Sequence, residues 1–226
     1  MQRQLNLLTI AFFSLLLSAC IGDDVIFDRV EEQVRIMNTI DTLGFGESYQ
    51  FEATFLNNVG IEETATVEWS SSAPEIVSID ATGLATALAT GKASIYAIVN
   101  LSAGVVSDTI DVVVGENTVV AEITRTGKVE TTTFYDLEGT FIVEETDDGI
   151  RIAFEEDYVA SEGLPGLYIY LTNNPSSVSG AHEIGKVEVF NGEHFYEVAG
   201  VGINDYDYIY YWCKPFGVEV GEGRIE

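Results

Sequence analysis

Residues 69–99 read WSSSAPEIVSIDATGLATALATGKASIYAIV, and this stretch decides the fold of the first half of the chain. Apolar residues recur at every second position in short runs, and turn residues such as Asp80 and Gly83 separate one run from the next. Alternation with a period of two places one set of side chains on one face of a strand. Short strands with turn signals about every ten residues predict a β-sandwich.

The order of residues in the same stretch carries a resemblance to a known family. It resembles the bacterial immunoglobulin-like group 2 family (BIG2) in the segments Trp69-Ser-Ser-Ser, Val77-Ser-Ile-Asp, Gly83-Leu-Ala-Thr and Gly91-Lys-Ala-Ser-Ile. The resemblance implies an immunoglobulin-like sandwich with a buried tryptophan, no disulfide and no catalytic residues. It also implies a role as a spacer or adhesion module on a bacterial surface. We therefore expect such a domain over residues 29–115.

The composition changes after residue 115, because nine of the eleven tyrosines follow it. Gly115-Glu116-Asn117-Thr118 is typical of a hinge, so residues 116–134 are predicted to be a linker. Asn191-Gly192 predicts a tight hairpin. Candidate strands of a second antiparallel domain over residues 135–226 lie at 140–143, 150–154, 167–171, 186–190, 194–198, 208–213 and 218–225. The predicted fold class is all-β, with two tandem β-sandwich domains of which the first is immunoglobulin-like.

Residues 135–226 resemble a second family, the DM13 domain. The segments that carry the resemblance are Gly139-Thr-Phe, Gly166-Leu-Tyr-Ile-Tyr-Leu, Phe195-Tyr-Glu-Val and Tyr211-Trp-Cys-Lys-Pro-Phe-Gly-Val. Members of this family are proposed to act in electron transfer, with a cysteine as the suspected redox centre. By this resemblance the redox residue is Cys213, and a separate redox protein is the implied partner.

Cys213 has two interpretations from the sequence alone. A free cysteine is most often a small buried hydrophobic residue. The functional interpretations are a reversible thiol or a thiolate ligand for haem or a metal. His182 and His194 are the only histidines, and their spacing is not that of a metal site. In a strand, Tyr211 shares the face of Cys213, whereas Trp212 and Lys214 share the opposite face.

Three tyrosines just before Cys213 are candidates for ligand contact. Tyr206, Tyr208 and Tyr210 alternate with Asp205, Asp207 and Ile209, so a strand would place them on one face. One interpretation is ordinary packing of aromatic side chains at the edge of the sandwich. The other is a platform on which sugar rings stack. The second interpretation makes a surface glycan the partner.

The N-terminus predicts a lipid anchor. An apolar run follows Arg3 and ends in Leu17-Ser18-Ala19-Cys20, which matches the bacterial lipoprotein box. We expect residues 1–19 to be the signal peptide, Cys20 to carry the lipid that binds the membrane, and residues 20–28 to be a tether. The expected location is the bacterial outer membrane. The acidic residues Asp23 and Asp24 resemble a surface-export signal, which would expose the protein at the cell surface, or are simply part of a solvated tether.

The charge balance excludes nucleic acid as a partner. The chain has 10 Lys and Arg residues against 37 Asp and Glu residues, a formal net charge of −27, and such a surface repels phosphate backbones. The sequence contains no nucleophile elbow, phosphate loop or zinc motif, so it does not predict an enzyme. Two hypotheses result: a surface lipoprotein with a redox module on an immunoglobulin-like spacer, or a non-catalytic adhesion or carbohydrate-binding lipoprotein.

Overall fold

The computed structural model describes residues 28–226, and every regular element in this span is a β-strand. The predicted all-β class with two sandwich domains is confirmed. Cys20, the signal peptide and most of the tether lie outside the described residues. No helix in residues 28–226 is long and apolar enough to cross a membrane.

The first domain contains eleven strands in three sheets that share one core. A five-stranded sheet has the order β11-β2-β10-β9-β6, and two three-stranded sheets have the orders β1-β4-β5 and β3-β8-β7. The strands are β1 (Gln33–Ile36), β2 (Ile40–Gly44), β3 (Ser48–Gln50), β4 (Ala53–Leu56), β5 (Glu62–Glu63), β6 (Glu68–Ser71), β7 (Val77–Ile79), β8 (Leu84–Ala87), β9 (Gly91–Leu101), β10 (Gly104–Gly115) and β11 (Val119–Val120).

The alternation seen in the sequence sets the core of this domain. Along β9, Ala93, Ile95, Ala97 and Val99 are all buried, while the residues between them face outward. Trp69, expected to be buried, is only partly buried, and it packs against the edge of the same core with its ring centroid 6.2 Å from that of Phe51. The period-two pattern therefore predicted this sandwich correctly.

The second domain is one nine-stranded antiparallel sheet. Its order is β17-β16-β19-β20-β12-β13-β14-β18, and β15 pairs with β13 beside this path. The strands are β12 (Thr124–Thr131), β13 (Leu137–Thr146), β14 (Gly149–Phe154), β15 (Val159–Ala160), β16 (Leu167–Thr172), β17 (His182–Lys186), β18 (His194–Ala199), β19 (Tyr208–Cys213) and β20 (Val218–Arg224).

This sheet curves so that its two halves face each other across one core. Residues from β13, β14 and β18 contact residues from β16, β19 and β20 in a single buried cluster. Backbone hydrogen bonds from Ala160 to Phe190 and from Gly192 to Tyr158, both 2.9 Å, join β15 and the residue before it to the segment that connects β17 with β18. Glycines make the close packing of strands possible: a Cβ at Gly223 would lie 2.6 Å from the carbonyl oxygen of Lys128.

Two predictions about segments that connect strands are wrong. Asn191-Gly192 does not join a hairpin, because β17 pairs with β16 and β18 pairs with β14. The expected hinge at residues 115–118 is fixed to the first domain: Gly44 donates a hydrogen bond to the Thr118 hydroxyl, and β11 pairs with β2. Residues 116–134, expected to be a linker, therefore contain β11 in the first domain and β12 in the second.

A cluster of three charged side chains joins the two domains. Arg35 on β1 donates a hydrogen bond of 2.5 Å to the Asp207 carboxylate, and Arg125 on β12 approaches the other carboxylate oxygen at 3.4 Å. Arg35 also donates to the carbonyl of Asn204, and Gln33 donates to Asp207. We refer to Arg35, Arg125 and Asp207 as the Asp207 cluster. It fixes the start of β1 against the segment that precedes β19.

The first described residue lies at the junction of the domains. Asn174 of the second domain donates hydrogen bonds to the carbonyls of Asp28 and Val59. Asp28 is eight residues from Cys20, and a chain spans at most about 3.6 Å per residue. A lipid on Cys20 would thus hold the junction within about 30 Å of the membrane.

Candidate functional site

Cys213 is the last residue of β19 and lies inside the core of the second domain. Its exposed fraction is 0%, and it belongs to the same buried cluster as Ile209 and Tyr211. Tyr211 and Cys213 face inward, as the strand alternation predicts. Lys214 does not approach the thiol, because its Nζ is bound to Glu183 at 2.5 Å. A buried thiol without a cation beside it lacks the setting that activates cysteines.

The two histidines do not complete a metal site with Cys213. Within residues 28–226 there is no group of three His, Cys, Asp or Glu side chains that could hold a metal ion. His194 stacks on Phe154 with a centroid distance of 4.9 Å, and its Nδ1 lies 2.9 Å from the carbonyl oxygen of Gly192. The His182 ring lies 6.2 Å from the ring of Tyr206.

The opposite face of β19 and its neighbour β16 carry a set of aromatic side chains. The antiparallel register places Tyr168 beside Trp212 and Tyr170 beside Tyr210. Tyr210 and Trp212 stack with a centroid distance of 6.1 Å and an interplanar angle of 25°. We refer to these residues, together with Tyr208, as the aromatic face: Tyr168, Tyr170, Tyr208, Tyr210 and Trp212.

The members of the aromatic face differ in exposure. Tyr170 and Tyr210 are buried under their neighbours, with exposed fractions of 5% and 1%. Tyr168, Tyr208 and Trp212 are partly exposed. The buried pair lies beside the exposed rings on the same two strands, and Tyr210 stacks on Trp212.

An ion pair holds one border of the aromatic face. Lys214 lies 4.1 Å above the centroid of the Tyr168 ring and binds Glu183. The Tyr170 hydroxyl donates to the same carboxylate at 3.2 Å. The hydrogen bond from Lys214 lowers the pKa of Glu183 below its usual value, so this carboxylate stays ionised.

Two carboxylates on β20 form the other border. The Tyr210 hydroxyl donates to Glu219 at 3.3 Å, and Glu222 lies opposite Tyr210 in the sheet. One oxygen of Glu222 is buried and accepts no hydrogen bond from any residue in the described part of the chain. Burial, and then the charge of Glu219, raise the pKa of Glu222 above its usual value. Both oxygens of Glu219 thus already accept hydrogen bonds, from Tyr210 and Thr132, and the unpaired oxygen of Glu222 is buried.

The structure brings two of the three predicted tyrosines together. Tyr208 and Tyr210 lie on the aromatic face, but Tyr206 precedes β19 and lines a cleft between the domains. Sequence reasoning missed Tyr168, Tyr170 and Trp212 as members of the face. Their signal was the alternation of aromatic residues in residues 167–171 and 208–213, but only the pairing of β16 with β19 shows that the two sets are neighbours.

The buried core that the three sheets share defines the first domain as an immunoglobulin-like sandwich. Residues 31–110 match the family model of the bacterial Ig-like domain (group 2), so the resemblance found in the sequence is confirmed for this part of the chain. No curated protein matches the chain.

Proposed function

We propose that the protein is a non-catalytic binding protein of the bacterial cell surface, anchored by lipid on Cys20, that contacts carbohydrate through the aromatic face. The match of residues 31–110 to a bacterial Ig-like domain supports a surface or adhesion-type role. The lipoprotein box supports the anchor and an outer-membrane location. Neither requires an enzyme activity, a metal or a cofactor.

The observation that carries the proposal is the partly exposed pair Tyr168 and Trp212, held side by side by the register of β16 and β19. The faces of aromatic rings are apolar and match the apolar faces of sugar rings. The exposed carboxylate of Glu183, at the border of the aromatic face, can accept hydrogen bonds from sugar hydroxyls. Orientation by a few polar groups beside an apolar surface is the usual arrangement of small-molecule sites.

Glycan-array binding by residues 21–226 tests this proposal. We expect the wild-type chain to bind at least one class of neutral glycan and Trp212→Ala to lose that binding. Phe134→Ala is the matched control, because Phe134 is 88% exposed in the loop after β12 and lies outside the aromatic face. An array without any binding, or equal loss in both variants, contradicts the proposal.

The alternative proposal is a redox module based on the resemblance of residues 135–226 to DM13 domains. It requires Cys213 to exchange electrons with a partner or to bind haem or a metal. Complete burial of the Cys213 side chain favours the binding protein over this alternative. Substitution of Cys213 by Ser in cells tests it, because a redox module would lose its redox phenotype although the protein is still folded and anchored.

A further inference from the structure

A cleft of about 290 Å³ lies between the two domains, and none of its lining residues belongs to the aromatic face. Strands β4 and β5 of the first domain form one wall, and the segments before β17 and β19 form the other. Ligand sites occur preferentially at domain interfaces, and this volume is near the lower limit for small-molecule pockets. It admits a single small ring rather than a long chain.

The cleft exists only while the domains are docked, and two glycines allow that docking. Gly60 has a φ of +76°, and a Cβ there would lie 2.9 Å from the backbone of Asn173. Gly180 has a φ of +74°, and a Cβ there would lie 2.8 Å from Ile61. Both conformations are rare for other residues. The two walls thus meet closely at their ends, and the space between these contacts is the cleft.

The lining has an aromatic ring, an apolar floor and an excess of hydrogen-bond acceptors. Tyr206 forms part of one wall, and Leu56, which is 4% exposed, lies on the other side with Met37. Asp205 and Glu62 also line the cleft, and burial, followed by the charges of these two residues, raises the pKa of Tyr206. None of the residues that line the cleft is Lys or Arg.

This lining favours a neutral ligand whose groups donate hydrogen bonds. Carboxylates accept hydrogen bonds and repel other anions. The Tyr206 ring offers an apolar face, and the hydroxyl of Thr54 adds a group that both donates and accepts. Sugars supply hydroxyl donors on the edge of a ring whose face is apolar.

From these observations we infer that the interdomain cleft is a second site, which binds one neutral sugar ring between Tyr206 and the walls that carry Glu62 and Asp205. The choice of a sugar rests on the proposed function, but the site is separate from the aromatic face. Acidic sugars are excluded from the cleft because they would meet both carboxylates.

Met37 provides a selective probe of the cleft. The sequence has two methionines, Met1 and Met37, so Met37 is the only native methionine of residues 21–226. In protein labelled with ¹³C at the methionine methyl group, its signal reports on the cleft alone. We expect methyl glucoside, galactoside or mannoside to shift this signal in a saturable way, and glucuronate to leave it unchanged.

Variants separate the cleft from the aromatic face. Glu62→Gln on the first domain and Tyr206→Ala on the second should each weaken the effect on Met37 about tenfold, the factor that corresponds to about 1.4 kcal/mol. Trp212→Ala should leave it unchanged, and so should the control Tyr96→Ala on the outer side of β9. Glu62 is exposed, so Glu62→Gln tests the site even if Tyr206→Ala fails to fold.

The outcomes distinguish the two proposals. If the sugar still shifts the Met37 signal in Trp212→Ala, the result supports a site in the cleft, even if the aromatic face binds nothing. The absence of a saturable shift below about 10 mM sugar, or a shift that Glu62→Gln does not weaken, overturns the inference while leaving the aromatic face open. Equal binding of glucuronate and glucoside also overturns it.

Discussion

Substitution of Asp207 by Asn should weaken the contact between the two domains. The change keeps the size of the side chain but removes the negative charge between Arg35 and Arg125, whose side chains are only 13% and 16% exposed. Burial already lowers the pKa of Arg35, and the charge of Asp207 acts in the opposite direction. Without Asp207, two guanidinium groups repel each other in a poorly hydrated space.

The expected cost follows from this degree of burial. Breaking a fully buried ion pair costs about 3–5 kcal/mol, whereas an exposed pair contributes about 0–1 kcal/mol. The cluster is closer to the first case, but Arg125 keeps its bonds to the carbonyls of Ile203, Tyr206 and Ile225. We therefore expect the free energy of unfolding to fall by about 2–3 kcal/mol.

Urea unfolding of residues 21–226 measures this loss, in a double-mutant cycle with Arg35→Gln. The two single variants should each destabilise the protein, and the double variant should lose less than their sum because the interaction is already absent. Glu197→Gln is the control, since its pair with Arg151 is long at 3.7 Å and both side chains are more than 40% exposed. The role of the cluster would be refuted if each single variant lowered the free energy of unfolding by less than about 0.5 kcal/mol and the double variant lost only the sum of the two.

Three further predictions concern the second domain. Cys213 should react with a thiol reagent only as fast as the domain opens, because it is fully buried, and rapid reaction of the folded protein would contradict this. The pKa of His194 is lowered by burial, so the unfolded chain binds the proton first. The free energy of unfolding should therefore fall below about pH 6.5 by up to about 1.4 kcal/mol per pH unit, a slope that His194→Gln should reduce in pH-dependent urea unfolding. Gly223→Ala should lower the melting temperature markedly because its Cβ would meet the Lys128 carbonyl at 2.6 Å, and an unchanged melting temperature would show that β12 and β20 separate easily.

Local alternation explains why much of the fold could be predicted from the sequence. Strand β9 has a regular period-two pattern and formed as predicted. Strand β19 formed over the predicted residues 208–213, although Ile209, Tyr210 and Tyr211 are all buried and its pattern does not alternate. Strand β12 was missed because its sequence TRTGKVET buries only Val129. This segment is a strand because it pairs with β13 and β20, and a local sequence pattern does not reveal these pairings.

The candidate sites were less predictable because they depend on distant contacts. The pairing of β16 with β19 creates the aromatic face, and an Asn-Gly signal in the same region wrongly indicated a hairpin. Arg35 and Asp207 are separated by 172 residues, so no local pattern relates them. The sequence left open which face of the strand that contains Cys213 is buried, and only the folded core decides it.

Fluorescence of Trp212 tests the central claim of carbohydrate binding most directly. The chain has two tryptophans, so Trp69→Phe leaves Trp212 as the only indole reporter. Titration with the glycan that binds best on the array should change the Trp212 emission with the same midpoint as binding measured by calorimetry, and Tyr168→Ala should shift both midpoints together. Binding by calorimetry without any change at Trp212 would contradict the assignment of the site to the aromatic face, and the absence of binding to any glycan would contradict the function.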